Sequence, residues 1–142
     1  MRFTGEPTNN MTNLQQQITV HALPSKVWKV LTSPDYTNQY LSEGNLHSDW
    51  TEGSSILLEI ENTIESIGKV LESIPGLFLK FSFREGNTST HIITTYELII
   101  AGDGIELKMK CEGFVATHPE YLIRVQQANL LLQKIKWLSE YS

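Results

Sequence analysis

Between residues 47 and 111 the apolar side chains recur at every second position, in short runs separated by Gly, Asn, Asp and Pro, and this pattern constrains the chain more than any other. A period of two sends successive side chains to opposite faces of a strand, so the region reads as an antiparallel meander with one wet and one dry face. The alternation is clearest in Leu77, Leu79, Phe81 and Phe83 against Phe78, Lys80 and Ser82, and in Ile105, Leu107, Met109 and Cys111 against Glu106, Lys108 and Lys110. Strands are expected at 47–50, 54–61, 67–73, 77–84, 90–101 and 105–112, the last pair joined by a turn at Gly102-Asp103-Gly104. A sheet with a continuous apolar side must be covered.

The cover is legible downstream. Thr117-His118-Pro119-Glu120 has the spacing of a capping box, in which the threonine hydroxyl accepts from the fourth residue's amide and the glutamate reaches back. A long helix is expected to follow, to about residue 140. Tyr121, Leu122, Val125, Ala128, Leu131, Leu132, Ile135 and Leu138 recur at intervals of three and four, which gives it an apolar stripe to lay on the sheet.

Upstream, residues 1–12 are polar and read as a flexible arm, and the single domain is expected to span 13–142. Ile18, Thr19 and Val20 mark a first strand at 14–21. Pro24 then suits the first turn of a helix that places Val27, Val30 and Leu31 on one face. Ser33-Pro34-Asp35 repeats the helix-start grammar, with a capping hydroxyl, a ring that fixes φ and a carboxylate at the positive end of the dipole. A second short helix should run through Tyr40 and end at Gly44 and Asn45. The sum is an α+β fold, a curved seven-stranded antiparallel sheet wrapped around a long C-terminal helix, with two short helices after the first strand.

With 142 residues the chain has the usual size of one domain, and 40% hydrophobic against 19% charged residues suits a globular protein. A net charge of −5 argues against nucleic acid, which demands clustered Lys and Arg; Lys108, Lys110, Lys134 and Lys136 form only a small patch. The single cysteine, Cys111, excludes an intramolecular disulfide and thiolate metal clusters. No apolar run approaches the roughly 20 residues that cross a bilayer, and the first residues lack a signal-peptide core, so a cytoplasmic protein with no membrane insertion is expected.

Four segments carry a family resemblance: A-L-P-S-K-V-W-K-V-L-T-S-P after His21, S-D-W-T-E-G-S-S-I at 48–56, C-E-G-F at 111–114, and the terminal helix with its Leu and Trp pattern. They resemble the START-like, or SRPBCC, superfamily, in the branch similar to the C-terminal domain of the activator of the heat-shock protein 90 ATPase. The resemblance implies a helix-grip fold, often with an apolar cavity between sheet and helix, and roles among lipid and hormone binders, polyketide cyclases and co-chaperone modules. The branch usually carries a tryptophan near the start of that helix, where this chain has Tyr121 and instead places Trp137 later.

Direct chemical signatures are sparse. His21, His47, His91 and His118 lie in separate segments without zinc-site spacing, and His118 reads as a helix-start residue, so no metal and no cofactor are expected. Cys111 alternates with Met109 on the dry face, as a small buried hydrophobe. Glu59 and Glu97, the strand glutamates flanked by apolar residues, fall by parity on the wet face, and no catalytic residue is assigned. The constellation that suits a ligand is aromatic. Tyr36, Tyr40, Trp50, Phe81, Tyr96 and Met109, with Leu132 from the helix and the hydroxyl of Thr94, supply apolar bodies with a few polar tips. A dry core has little use for neighbouring hydroxyls such as Thr94 and Tyr96.

The expectation is a binder of a small hydrophobic or aromatic molecule in a cavity between sheet and C-terminal helix. The alternatives are a co-chaperone-like module acting on a heat-shock protein 90 homologue, and a cyclase or hydrolase of aromatic substrates. Monomer and dimer remain equally open.

Overall fold

Among the described residues, Gly53, Gly76 and Gly102, all at positive φ, and the pair Glu61-Asn62 stand in the connections between strands. Glu61 and Asn62 both take left-handed backbone (φ 49° and 67°), the geometry of a two-residue hairpin whose twist matches its strands, so Ile60 pairs directly with Thr63. A computed structural model describes residues 10–41, 44–85 and 90–142. Along the chain come β1 (Asn10–Val20), α1 (Pro24–Thr32), α2 (Pro34–Tyr40), β2 (Asn45–His47), β3 (Ser55–Ile60), β4 (Thr63–Ile74), β5 (Phe78–Arg84), β6 (His91–Ala101), β7 (Gly104–Thr117) and α3 (His118–Tyr141). The strands form one antiparallel sheet in the order β1-β7-β6-β5-β4-β3-β2. This is the expected helix-grip architecture, with α3 laid mainly against β1.

The differences from expectation lie at element ends. β1 starts at Asn10 rather than near residue 13, because Asn10 and Met11 find partners in Thr117 and Ala116 at the far end of β7. The rest of the expected arm, residues 1–9, lies outside the described residues. β2 is Asn45–His47 rather than 47–50, since only these residues face Leu57, Leu58 and Glu59 of β3. Trp50 therefore sits in the loop beyond, at φ 54°. β4 begins at Thr63, earlier than expected, because the tight turn starts the ladder at once.

β7 runs five residues past Glu112. The parity that puts Leu107 and Met109 inside would turn Phe114 outward, yet Phe114 and Ala116 are buried and Val115 is exposed. Gly113 makes the switch: at φ 93° it shifts the register with β1 between Met11 and Asn13, and the strand resumes on the opposite phase. A Cβ there would come within 2.7 Å of the His91 carbonyl oxygen.

Pro24 and Pro34 open α1 and α2. The hydroxyl of Ser33 makes no cap bond, contrary to expectation. With one residue joining two helices, its backbone does the work: its N–H donates to the Lys29 carbonyl and closes α1, while its carbonyl accepts from Tyr36 and Thr37 and opens α2. At α3 the capping box forms, and the Glu120 carboxylate accepts from the Thr117 amide (2.7 Å) and hydroxyl (2.8 Å). Ala128, Leu132, Ile135 and Leu138 are buried against the sheet side with Leu14, Val20, Ile105 and Leu107 in one core. Leu122, expected in this stripe, is exposed. At the other end Glu140 accepts from the His21 amide and from Lys136, which also donates to the Thr19 carbonyl, all at 2.7 Å. Lys26 bonds the carbonyl of Ser142.

Candidate functional site

The inner face of β5 and β6 gathers most of the expected site. Cross-strand register sets Leu79 opposite Tyr96 and Phe81 opposite Thr94, and on the other side Tyr96 opposite Met109 and Thr94 opposite Cys111. The ring of Phe81 is the hub. It meets Trp50 edge-on (centroids 5.6 Å, 78°), Phe83 at 6.0 Å and Tyr96 at 6.3 Å. Trp50 reaches this cluster from the loop because its left-handed backbone and the bond from Ser73 Oγ to its carbonyl (2.8 Å) fix where the loop turns.

These inward-facing residues are not sealed. Leu79, Ile92 and Leu98 are fully buried, whereas Phe81, Phe83 and Cys111, on the same face, remain half-buried, as do Tyr36 and Tyr40 of α2 and Leu46 of β2. α3 lies over β1 rather than over the middle strands, whose Phe81, Phe83 and Cys111 stay partly exposed. An ion pair links α3 to the end of β5 near one end of the sheet: Arg124 bonds Glu85 at 2.7 Å and stacks over Phe114 at 4.5 Å.

The polar tips differ from one another. Tyr40 donates to the Val30 carbonyl at 3.0 Å. Among the described residues, Thr94 Oγ1 has only the Cys111 sulfur, at 3.8 Å. Tyr96 is 5% exposed, and its hydroxyl has no hydrogen-bond partner among the described residues. An unmatched buried hydroxyl costs about 1–3 kcal/mol. Burial pushes both phenols well above their ordinary range, with Tyr40 and Cys111 adding to the effect on Tyr96, so both keep their protons. Burial also pushes the Cys111 thiol up, against smaller opposing pulls from Thr94 and Arg124, which leaves a neutral thiol rather than a thiolate nucleophile.

Of the eight expected residues, Trp50, Phe81, Thr94, Tyr96 and Met109 come together, and Tyr40 stands near enough to Tyr96 for their charges to interact. Tyr36 faces the Lys26 ammonium, 5.3 Å above its ring. Leu132 is buried on α3, on the β1 side of the core. Phe83 and Cys111 share the inner face with Phe81 and Met109, as the dry-face parity predicts. Glu59 bonds His47 at 2.9 Å near the surface, and Glu97 is exposed on the outer face. Two open depressions lie elsewhere: one of about 610 Å³ on the outer face among Gln15, Gln17, Thr95 and Lys108, and one of about 330 Å³ near Ser55, Ser82 and His91. Neither lies between the sheet and α3. Among the described residues no group of three or more His, Cys, Asp or Glu could hold a metal, and no helix is long and apolar enough to cross a membrane.

The model of the family described as Activator of Hsp90 ATPase homolog 1-like protein matches residues 21–139. The chain belongs to that family. Solved structures support the fold: protein MLL2253 from Mesorhizobium loti is 17% identical, with a TM-score of 0.73 over 89% of this chain and 95% of that one. The Aha1 dimer from Colwellia psychrerythraea is 18% identical, with a TM-score of 0.72 over 92% and 98%. ChR145 from Cytophaga hutchinsonii is 21% identical, with a TM-score of 0.73 over 89% and 92%. At such identities these show the START-like fold. No curated protein matches the chain.

Proposed function

We propose that this family member is a binding module that takes a small apolar or aromatic molecule in the groove between the sheet and the helix pair, held by one hydrogen bond to Tyr96. The observation that carries this reading is the buried, protonated Tyr96 hydroxyl, without a partner among the described residues, beside half-buried rings. Such a group is satisfied by a ligand oxygen at little cost, because its desolvation is already complete. The ring cluster around Phe81 supplies the apolar contact, and Trp50 its edge. Binding is favoured over turnover because the carboxylates singled out by the sequence, Glu59 and Glu97, point away from the groove. A cytoplasmic setting belongs to the same proposal, since Cys111 has no second cysteine to oxidise with.

Thermal denaturation against a set of aromatic alcohols, ketones and fatty acids tests it. A ligand raises the melting temperature by mass action, and Tyr96→Phe weakens that ligand roughly 5- to 10-fold, the worth of one hydrogen bond. A set with no stabilising compound, or stabilisation that Tyr96→Phe leaves untouched, would refute the reading.

Family membership supports a second reading, a co-chaperone-like module that docks on an Hsp90 homologue. Stimulation of that homologue's ATPase by the purified chain is the expected outcome, and an unchanged ATPase rate contradicts it.

A further inference from the structure

α3 is apolar on two sides, and only one of them meets the sheet. At about 100° per residue, the side turned away carries Ile123, Leu130 and Trp137 at seven-residue intervals and Tyr141 one turn further. They are 54, 67, 56 and 71% exposed. The Trp137 and Tyr141 rings lie 6.0 Å apart, and exposed Leu122 flanks the row. Between them stand Gln126, Gln127, Gln133 and a lone charge, Lys134. Solvated helix faces usually carry charge, whereas a face of aromatic and aliphatic residues with charge withdrawn has the composition of an interface core.

We infer that this stripe is the docking surface for a second copy of the chain, packed antiparallel with the two-fold axis at Leu130. Exposed apolar residues stand at equal distances on either side of that residue. Ile123 and Trp137 stand seven positions to either side, so Ile123 meets the partner's Trp137 while Leu130 meets its own copy. Pro119 meets the partner's Tyr141, Gln127 the partner's Gln133, and Gln126 the partner's Lys134. Such self-complementarity is what an isologous contact requires. Parallel packing instead opposes Lys134 to Lys134. Glu120 and Glu140 also fall opposite one another, but on the flanks, where each is held by its own chain through Thr117 or through His21 and Lys136.

The dimensions suffice. From Ile123 to Trp137 is about 21 Å along the axis, and a seven-residue repeat on a straight helix drifts by roughly 20° per heptad, which suits the shallow left-handed crossing of paired helices. With aromatic side chains worth roughly 150–250 Å² each, the exposed parts of Trp137 and Tyr141 and of the three aliphatic residues, counted on two copies, total on the order of 1,000 Å², the lower bound for a specific interface. Leu23 is exposed beside the C-terminal end of the stripe, between His21, whose amide bonds Glu140, and Lys26, which bonds Ser142.

Sedimentation equilibrium of the full chain tests the assembly, and oxidative cross-linking tests its axis. The wild type should be a dimer, and Leu130→Glu, which sets two like charges on the axis at an exposed position, should weaken it at least ~30-fold with an unchanged circular-dichroism spectrum. Leu130→Cys should form a disulfide-linked dimer in diamide far faster than either the wild type or Asn129→Cys, which lies off the stripe. A wild type that stays monomeric at millimolar concentration overturns the inference, whatever else binds the stripe. So does a dimer that survives Leu130→Glu, or a Leu130→Cys variant that cross-links no faster than the controls.

Discussion

Two tyrosines whose pKa values burial raises are expected to behave oppositely when the hydroxyl is removed. Tyr40 spends its proton on the Val30 carbonyl, so Tyr40→Phe strands an acceptor and should cost about 0.5–1.5 kcal/mol. Tyr96 has no partner among the described residues, so Tyr96→Phe removes a desolvated hydroxyl and should be neutral or stabilising by up to about 1 kcal/mol. Urea denaturation of the two variants checks the sign, and a loss of stability in Tyr96→Phe would show that the hydroxyl is already satisfied in the unliganded chain. Strand parity was enough to place Thr94 and Tyr96 on the inner face with Phe81 and Met109. It could not separate the two phenols, because the Val30 carbonyl that distinguishes them belongs to a helix ten residues upstream whose approach is set by packing.

At the scale of elements, the sequence pattern failed where the chain changes phase. The alternation of Ile105 to Cys111 predicts an end at Glu112; the strand instead bulges at Gly113, with three residues of β7 against Thr12, and carries on with its faces exchanged, feeding Phe114 and Ala116 to the core. Gly113→Ala forces a side chain into left-handed backbone and against the His91 carbonyl, and should cost at least about 1 kcal/mol, measurable by thermal or chemical unfolding. The three- and four-residue spacing on α3 predicts the burial of Ala128, Leu132, Ile135 and Leu138, but not the exposure of Leu122, since a helix apolar on two sides gives no periodicity that picks the inner one. Its ends are fastened by carboxylates. The Thr117 amide and hydroxyl hold Glu120 below the usual range, and the His21 amide, followed by Lys136, does the same for Glu140. A depressed folded-state pKa means that these bonds support α3 above the ordinary carboxylate value of about 4.3 and are lost as pH falls through the lower folded value. Hydrogen exchange should therefore show the His21 amide and the first turn of α3 losing protection as pH falls below the ordinary carboxylate range while β6 keeps its own, and Glu140→Gln should abolish the pH dependence at His21.

For the whole molecule, the meander, the helix pair and the terminal helix are all legible in the sequence, because each rests on a period or a cap that local sequence carries. What was not readable is where α3 lies across the sheet. Its seat against β1 leaves the inner face of β5 and β6 half-open, and its outer stripe free, so that one placement creates both surfaces of interest. The three tryptophans are divided between these regions: Trp50 stands edge-on to Phe81 in the groove, Trp137 lies in the open on α3, and Trp28 is half-buried on α1. The unlabelled chain thus carries its own emission probes. Ligand entry alters the blue-shifted contribution of Trp50, self-association shields Trp137 from an aqueous quencher, and the two events can be followed separately in one cuvette.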